Sequence, residues 1–269
     1  MVRFNFMNTR GFLGLPAVMF LAVFFTTWLS TPAWGNEPIS RSMSLSADQW
    51  NEALAAFAAE DQKHAPPPGG VLFVGSSSIR LWDGLESQFA DSPVADSTVI
   101  LKRGFGGSRL SDCVRHLDKL VIGYKPRLVL VYAGDNDLAE GSTPEQVLER
   151  VRKFSSGVHA QLPDTRVAFI SIKPSPARIS LLGKIRAANR LVKEYATNNA
   201  SAGLDYIDVY TPMLAENGQP RAELFREDRL HLNRAGYALW RSIIRPFVRL
   251  PEQARASAAK ASTGRRAGY

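Results

Sequence analysis

The sequence predicts an α/β protein in which helices cover both faces of one parallel sheet. Five short runs rich in Val, Ile and Leu begin about 28 to 40 residues apart, as expected for strands buried on both faces. Stretches with helical spacing of apolar residues lie between these runs, and such alternation is typical of a single parallel sheet. The sequence shows no internal repeat and no sign of a second folded domain.

Composition and charge exclude several classes of protein. With 45% hydrophobic and 22% charged residues among 269, the chain is not collagen-like, wholly disordered or a multi-span membrane protein. Of the net charge of +8, residues 36–250 carry only +3. They show no basic stripe laced with aromatic residues, so we expect no nucleic-acid partner. The single Cys113 excludes an internal disulfide and a Cys-based metal site.

Residues 1–35 resemble a secretory signal peptide. Arg3 and Arg10 precede an apolar run over residues 12–29, and Ala33 and Gly35 place small residues at the two positions that a signal peptidase reads. The run nearly reaches the roughly 20 residues that span a bilayer, so an uncleaved N-terminal anchor associated with the membrane is the alternative. Both interpretations predict an exported protein, periplasmic or extracellular.

The predicted elements follow in chain order. Ser46 and Gln49 have the spacing of a capping box and predict the start of an N-terminal helix, which must end before the Pro-Pro-Pro-Gly-Gly stretch at residues 66–70. Thr143 before Pro144 is a second helix-start signal. The predicted strands are 71–74, 99–101, 127–132, 167–172 and 204–209, and the helical patterns between and after them cover about 110–121, 143–158, 185–195 and 237–247.

These patterns divide the chain into four predicted parts. Residues 1–35 are the signal peptide or anchor, and residues 36–70 are an N-terminal helix and linker. Residues 71–250 form the α/β domain. Residues 251–269 form a basic tail that we expect to be disordered, because it is rich in Ala, Ser and Gly.

Small and polar residues follow the first three predicted strands, where parallel sheets place their chemistry. The first strand leads into Gly75 and three serines, 76–78, one of which is either a nucleophile or a helix N-cap. The glycine-rich loop 104–107 fits an oxyanion hole, a phosphate cradle or a structural turn. Asn136 follows the third strand and fits an oxyanion donor or a turn.

Asp228 and His231 stand three residues apart near the C-terminus. A carboxylate so placed can hold the imidazole Nδ1–H and leave Nε2 to accept a proton, although a salt-bridged surface histidine is the alternative for this pair alone. Taken together, the four groups supply a nucleophile, two kinds of oxyanion donor and an oriented base. Those are the parts of a serine acyl hydrolase.

From about residue 71 to residue 247, the sequence resembles the SGNH hydrolases, also called GDSL-type esterases and lipases. The Gly-Asp-Ser block of that family matches residues 75–77, with Ser76 in place of the usual aspartate, and its second-block glycine matches Gly107. Its Gly-x-Asn-Asp block matches residues 134–137, and its Asp-x-x-His block matches residues 228–231. Both the spacing and the order of the blocks agree.

The resemblance implies a role for each matched residue. Ser77 would be the nucleophile, His231 the base and Asp228 its orienting carboxylate, while Gly107 and Asn136 would donate to the oxyanion. It also implies a flavodoxin-like three-layer α/β/α sandwich around a five-stranded parallel sheet, with no metal and no organic cofactor.

The expected function is hydrolysis of carboxylic esters, acyl or acetyl, on a small-molecule, lipid or carbohydrate substrate. Three alternatives remain open: a non-catalytic glycan-binding protein on the same scaffold, acyl transfer to a sugar, and a flavodoxin-like nucleotide binder that uses loop 104–107. Trp82, Phe105 and Tyr132 lie beside the predicted site in sequence, and each either lines an acyl or sugar pocket or belongs to the core.

Overall fold

A computed structural model describes residues 39–90, 99–199 and 203–248. The chain divides into two compact units, residues 1–42 and 43–269, and in the first unit only residues 39–42 are described. The predicted signal peptide at 1–35 and the predicted tail at 251–269 lie outside the described residues. Within the described residues, no helix is both long enough and apolar enough to cross a membrane.

Five parallel strands form one sheet in the order β2-β1-β3-β4-β5, which confirms the predicted class. In register, Gly75 at the end of β1 pairs with Gly104 of β2 and Tyr132 of β3, so these three strands end at the same level. The strands are β1 Val71–Gly75, β2 Ile100–Gly104, β3 Leu128–Tyr132, β4 Arg166–Ile170 and β5 Leu204–Ile207.

The described helices divide between the two faces of the sheet. Side chains of β1 alternate between two apolar clusters, one packed with α1, α4, α5, α7 and α8 and the other with α2, α3 and α9, which makes three layers. The helices are α1 Ile39–Lys63, α2 Ser77–Arg80, α3 Leu85–Ala90, α4 Leu110–Arg115, α5 Leu117–Leu120, α6 Asp135–Ala139, α7 Pro144–Gln161, α8 Leu182–Asn198 and α9 Arg234–Val248.

The observed helix boundaries agree with the predicted ones where the predicted N-cap hydrogen bond forms, and they differ elsewhere. Thr143 caps α7, with its hydroxyl accepting from Gln146 N at 3.3 Å. The predicted start at Ser46 is wrong, because α1 already begins at Ile39; a serine three residues before a glutamine also occurs inside helices. The pattern at 110–121 is two helices, because His116 (φ −105°, ψ 21°) interrupts the helical backbone between α4 and α5.

Candidate active site

The turn after β1 presents one serine to solvent. Gly75 has φ +136°, and a Cβ at that position would lie 1.8 Å from Tyr132 O, so only glycine lets the chain turn this close to β3. Ser76 and Ser78 on either side are fully buried, whereas Ser77 is partly exposed at the first residue of α2. Of the three serines, Ser77 is therefore the one a substrate can reach.

Ser77, His231 and Asp228 are brought together across 154 residues of sequence. Ser77 Oγ lies 3.0 Å from His231 Nε2, and His231 Nδ1 lies 2.7 Å from Asp228 Oδ2. The other carboxylate oxygen of Asp228 accepts from the backbone N–H groups of Leu230 and His231, both at 2.9 Å. These distances suit proton transfer from a serine to an oriented imidazole.

The carboxylate beside His231 is ionised at neutral pH. Burial raises the pKa of Asp228, but hydrogen bonds from the His231 backbone and imidazole and from Leu230 outweigh it and bring the pKa to about 2. An ionised carboxylate keeps the Nδ1 proton of His231 in place and stabilises the imidazolium that forms when the ring accepts a second proton.

Two predicted oxyanion donors border the same cavity as Ser77. Gly107 has φ +77°, and no atom lies within 4 Å of where its Cβ would be, so this backbone borders open space. Asn136 lies in the first turn of α6, where its Nδ2 donates to Ser108 O at 3.0 Å and its Oδ1 accepts from Arg178 Nη2 at 2.7 Å. The Asn136 amide is thus held at both ends.

The cavity that contains these groups has a volume of about 510 Å³. Of the three aromatic residues left open by the sequence, Phe105 lines it, whereas Trp82 and Tyr132 are buried in the apolar cluster on the α9 side of the sheet. The full lining is Trp50, Ala53, Ser77, Arg80, Phe105, Gly106, Gly107, Asn136, Leu230 and His231.

A buried charge network behind the cavity was missed by the sequence analysis. Lys173 is 1% exposed, and its Nζ donates to Asp135 Oδ2 at 2.9 Å, Tyr132 OH at 3.0 Å and Ser78 Oγ at 3.1 Å. Burial raises the pKa of Asp135, but Lys173 and Arg178 lower it more strongly, to about 2. Asp135 follows β3 and both cations follow β4, but nothing in the sequence shows that these side chains are buried against one another.

Trp50 and Arg80 were also missed as residues of the cavity. Trp50 comes from α1, and nothing in the local sequence connects that helix with the strand exits. Arg80 follows Ser77 by one helical turn, a spacing that could have placed it beside that serine. Among the described residues, no cluster of His, Cys, Asp and Glu has the arrangement of a metal site.

With this geometry established, comparison with known proteins identifies the family. The family model of the GDSL-like lipases and acylhydrolases matches residues 70–239, which is more than half of the chain. The chain belongs to the GDSL-like lipase/acylhydrolase family. As a member, it is an ester-hydrolysing enzyme. Among curated proteins, no sequence matches this family member.

Solved structures share the fold at low sequence identity. A candidate platelet activating factor from Streptococcus pneumonia is 19% identical, with a TM-score of 0.65 over 78% of this chain and 100% of its own. A GDSL-like lipase from Bacteroides thetaiotaomicron is 22% identical, with a TM-score of 0.61 over 72% and 96% of the two chains. A carbohydrate esterase family 3 protein from Talaromyces cellulolyticus is 17% identical, with a TM-score of 0.52 over 67% and 96%.

Proposed function

We propose that this GDSL-family enzyme is an exported serine hydrolase that cleaves acyl or acetyl esters of lipids or carbohydrates. The observation that carries the proposal is the continuous path from Ser77 Oγ through His231 to Asp228, with contacts of 3.0 and 2.7 Å. Ser77 is also the exposed member of its serine triplet. A base, its orienting carboxylate and two oxyanion donors surround it.

The reaction follows from these positions in two steps. His231 Nε2 accepts the Ser77 proton as Oγ attacks the ester carbonyl, and the oxyanion receives hydrogen bonds from Gly107 N–H and Asn136 Nδ2. The imidazolium, stabilised by Asp228, then protonates the departing alcohol. In the second step His231 takes a proton from the water that attacks the acyl-enzyme, and it gives this proton to Ser77 Oγ as the acid is released.

Export rests on the sequence alone. The charged start, apolar run and small residues of segment 1–35 support a signal peptide with cleavage after Gly35. Expression of the full chain in a bacterium, followed by cell fractionation and mass measurement, tests it. A product beginning at Asn36 outside the cytoplasmic membrane is expected. A full-length protein in the membrane fraction would favour the anchor, and a full-length cytosolic protein would contradict export.

Hydrolysis of p-nitrophenyl acetate, butyrate and octanoate tests the chemistry. Ser77→Ala is expected to lower kcat by about 10⁶, since the base then has no nucleophile to activate. The matched control is Ser156→Ala, an exposed helix serine whose hydroxyl bonds only its own helix, at Lys153 O, and its rate should equal that of the wild type. Turnover that survives Ser77→Ala would show that another residue is the nucleophile. Absence of turnover in the wild type would favour a non-hydrolytic role.

A further inference from the structure

We propose that Arg178 is a positioning residue of the oxyanion hole: it orients the Asn136 amide and strengthens its N–H as a donor. The buried Lys173–Asp135 pair in turn holds Arg178 in place. The catalytic consequence rests on the proposed function, whereas the structural statement about the Asn136 side chain does not.

The contacts of Asn136 select one orientation of its amide. Arg178 carries only donors, and its Nη2 lies 2.7 Å from Asn136 Oδ1. Ser108 O only accepts, and it lies 3.0 Å from Asn136 Nδ2. A flipped amide would place a donor against a donor and an acceptor against an acceptor. The orientation held by Arg178 uses one Nδ2 hydrogen on Ser108 and leaves the other for the cavity.

Arg178 also changes the strength of that remaining donor. A cation bound to the amide oxygen draws electron density from the nitrogen, and linked hydrogen bonds of this kind reinforce one another. The side chain of Arg178 is only 16% exposed, so water screens its charge weakly. Since the oxyanion carries charge that the ester ground state lacks, the benefit falls on the transition state.

The surroundings of Arg178 fix its position. Its Nη1 forms an ion pair with Asp135 Oδ2 at 3.2 Å, and the same oxygen accepts from Lys173 at 2.9 Å. Asp135 and Asn136 are adjacent in α6, so one short helix presents both partners to one guanidinium. Both basic side chains thus share one buried carboxylate directly behind the oxyanion donor.

A double-mutant cycle tests the coupling between the two side chains. Arg178→Met is expected to lower kcat for p-nitrophenyl acetate by about 10- to 100-fold and to change KM less than 2-fold. The loss in kcat should be smaller than the 10²–10³-fold loss that follows removal of a whole oxyanion donor. In an Asn136→Ala background the same substitution should change kcat less than 2-fold, because the group it positions is absent. Arg178→Lys, which keeps a donor and a charge, should recover part of the loss.

A second readout does not depend on turnover. The side-chain NH₂ signal of Asn136 in a ¹⁵N–¹H spectrum is identified by its absence in Asn136→Ala. Arg178→Met should move this signal towards that of a solvated amide, and Arg178→Lys should move it less. The matched control is Arg190→Met, an exposed arginine paired with Glu194 on α8, which should change neither kcat nor the signal.

Three results would overturn the inference. They are an unchanged kcat in Arg178→Met, equal losses in the wild-type and Asn136→Ala backgrounds, or an Asn136 signal that does not respond to either substitution. If Arg178→Met does not fold, Arg178→Lys alone decides through the same cycle and spectrum. A wild-type rate that Ser77→Ala leaves intact would instead reject the proposed function, and the NH₂ signal would still decide the structural statement.

Discussion

Two carboxylates at the candidate site have the same pKa, about 2, in opposite surroundings. The side chain of Asp228 is 48% exposed on the loop before α9, whereas that of Asp135 is 6% exposed at the end of β3. Hydrogen bonds from its own loop and from His231 are sufficient for Asp228, because water still hydrates the carboxylate. Asp135 needs two cations, Lys173 and Arg178, to outweigh the desolvation of its charge.

Because of this difference, substitutions at the two carboxylates should affect different properties of the protein. A substitution at the exposed Asp228 should change the tautomer and basicity of His231, while other contacts still support the fold. Removal of Lys173 from the buried network leaves the charge of Asp135 less compensated inside the protein, and this loss should lower the free energy of unfolding. Four substitutions or conditions test this contrast, from the largest expected effect to the smallest.

Asp228→Asn is expected to lower kcat by about 10⁴, equivalent to about 5.5 kcal/mol in the barrier. The asparagine oxygen can still accept from Leu230 and His231, but its NH₂ would donate to Nδ1 and leave the proton of His231 on Nε2, facing Ser77. The free energy of unfolding should fall by about 1 kcal/mol or less, because solvent screens the exposed carboxylate. Ester hydrolysis and urea unfolding measure the two quantities, and a destabilised variant with normal kcat would reverse our assignment.

Lys173→Met is expected to lower the free energy of unfolding by about 3 kcal/mol, because Asp135 loses one of its two cations and Ser78 and Tyr132 lose a donor. Lys153→Met is the control, since this lysine is 63% exposed beside Glu149 and should cost less than about 0.5 kcal/mol. Urea unfolding of both variants checks the difference. Equal midpoints for the two would remove the argument for a stabilising buried network.

Acid should destabilise the protein through both carboxylates. Their folded pKa values, about 2, lie below the ordinary value of 3.8, so the unfolded chain takes up the protons first as the pH falls. These contributions are complete above about pH 5 and are lost as the pH falls towards 2. Urea unfolding between pH 6 and pH 2.5 should be less pH-dependent in Asp135→Asn and in Asp228→Asn than in the wild type. An unchanged pH dependence in Asp135→Asn would contradict the assigned charge of Asp135.

Arg80 provides the smallest expected effect. Like Asn136, this arginine lines the cavity. Unlike Arg178, it is exposed and forms no ion pair with a described residue. None of the described residues that line the cavity is acidic. Arg80→Met should lower kcat/KM for 4-acetoxybenzoate by about 2- to 5-fold relative to neutral 4-acetoxybenzamide. An unchanged ratio, as expected for the control Arg190→Met, would show that Arg80 does not select anionic esters.

The strands were largely predictable because the central strands β1 and β3 are buried on both faces and are therefore apolar. The boundary that the pattern misses belongs to β2, an edge strand that continues through Lys102 and Arg103 to Gly104, beyond the apolar run. Lys102 Nζ donates to Trp82 O, and Arg103 pairs with Asp61 of α1. At an edge, partners outside the sheet can satisfy polar side chains, so the hydrophobic pattern ends before the strand does.

The residues of the candidate site could be predicted where the chemistry requires a particular residue type, and could not be predicted where only a tertiary contact gives a residue its role. Ser77 and His231 belong to short blocks with a recognisable spacing. Arg178 reaches Asn136 across 42 residues, and Lys173 reaches Ser78 across 95. In the sequence, a basic residue that is solvated after a strand looks the same as one that is buried against a carboxylate. The roles of Lys173 and Arg178 could therefore be recognised only in the folded structure.

The 154 residues between Ser77 and His231 have a consequence for biosynthesis. A ribosome completes the serine, its turn and both flanking strands of β1 long before it reaches the histidine loop. Throughout that interval the nascent chain carries the candidate nucleophile without its candidate base. A protease cut that released the last helix and its preceding loop would restore the same inert condition, so esterase activity reports on the integrity of nearly the whole folded chain.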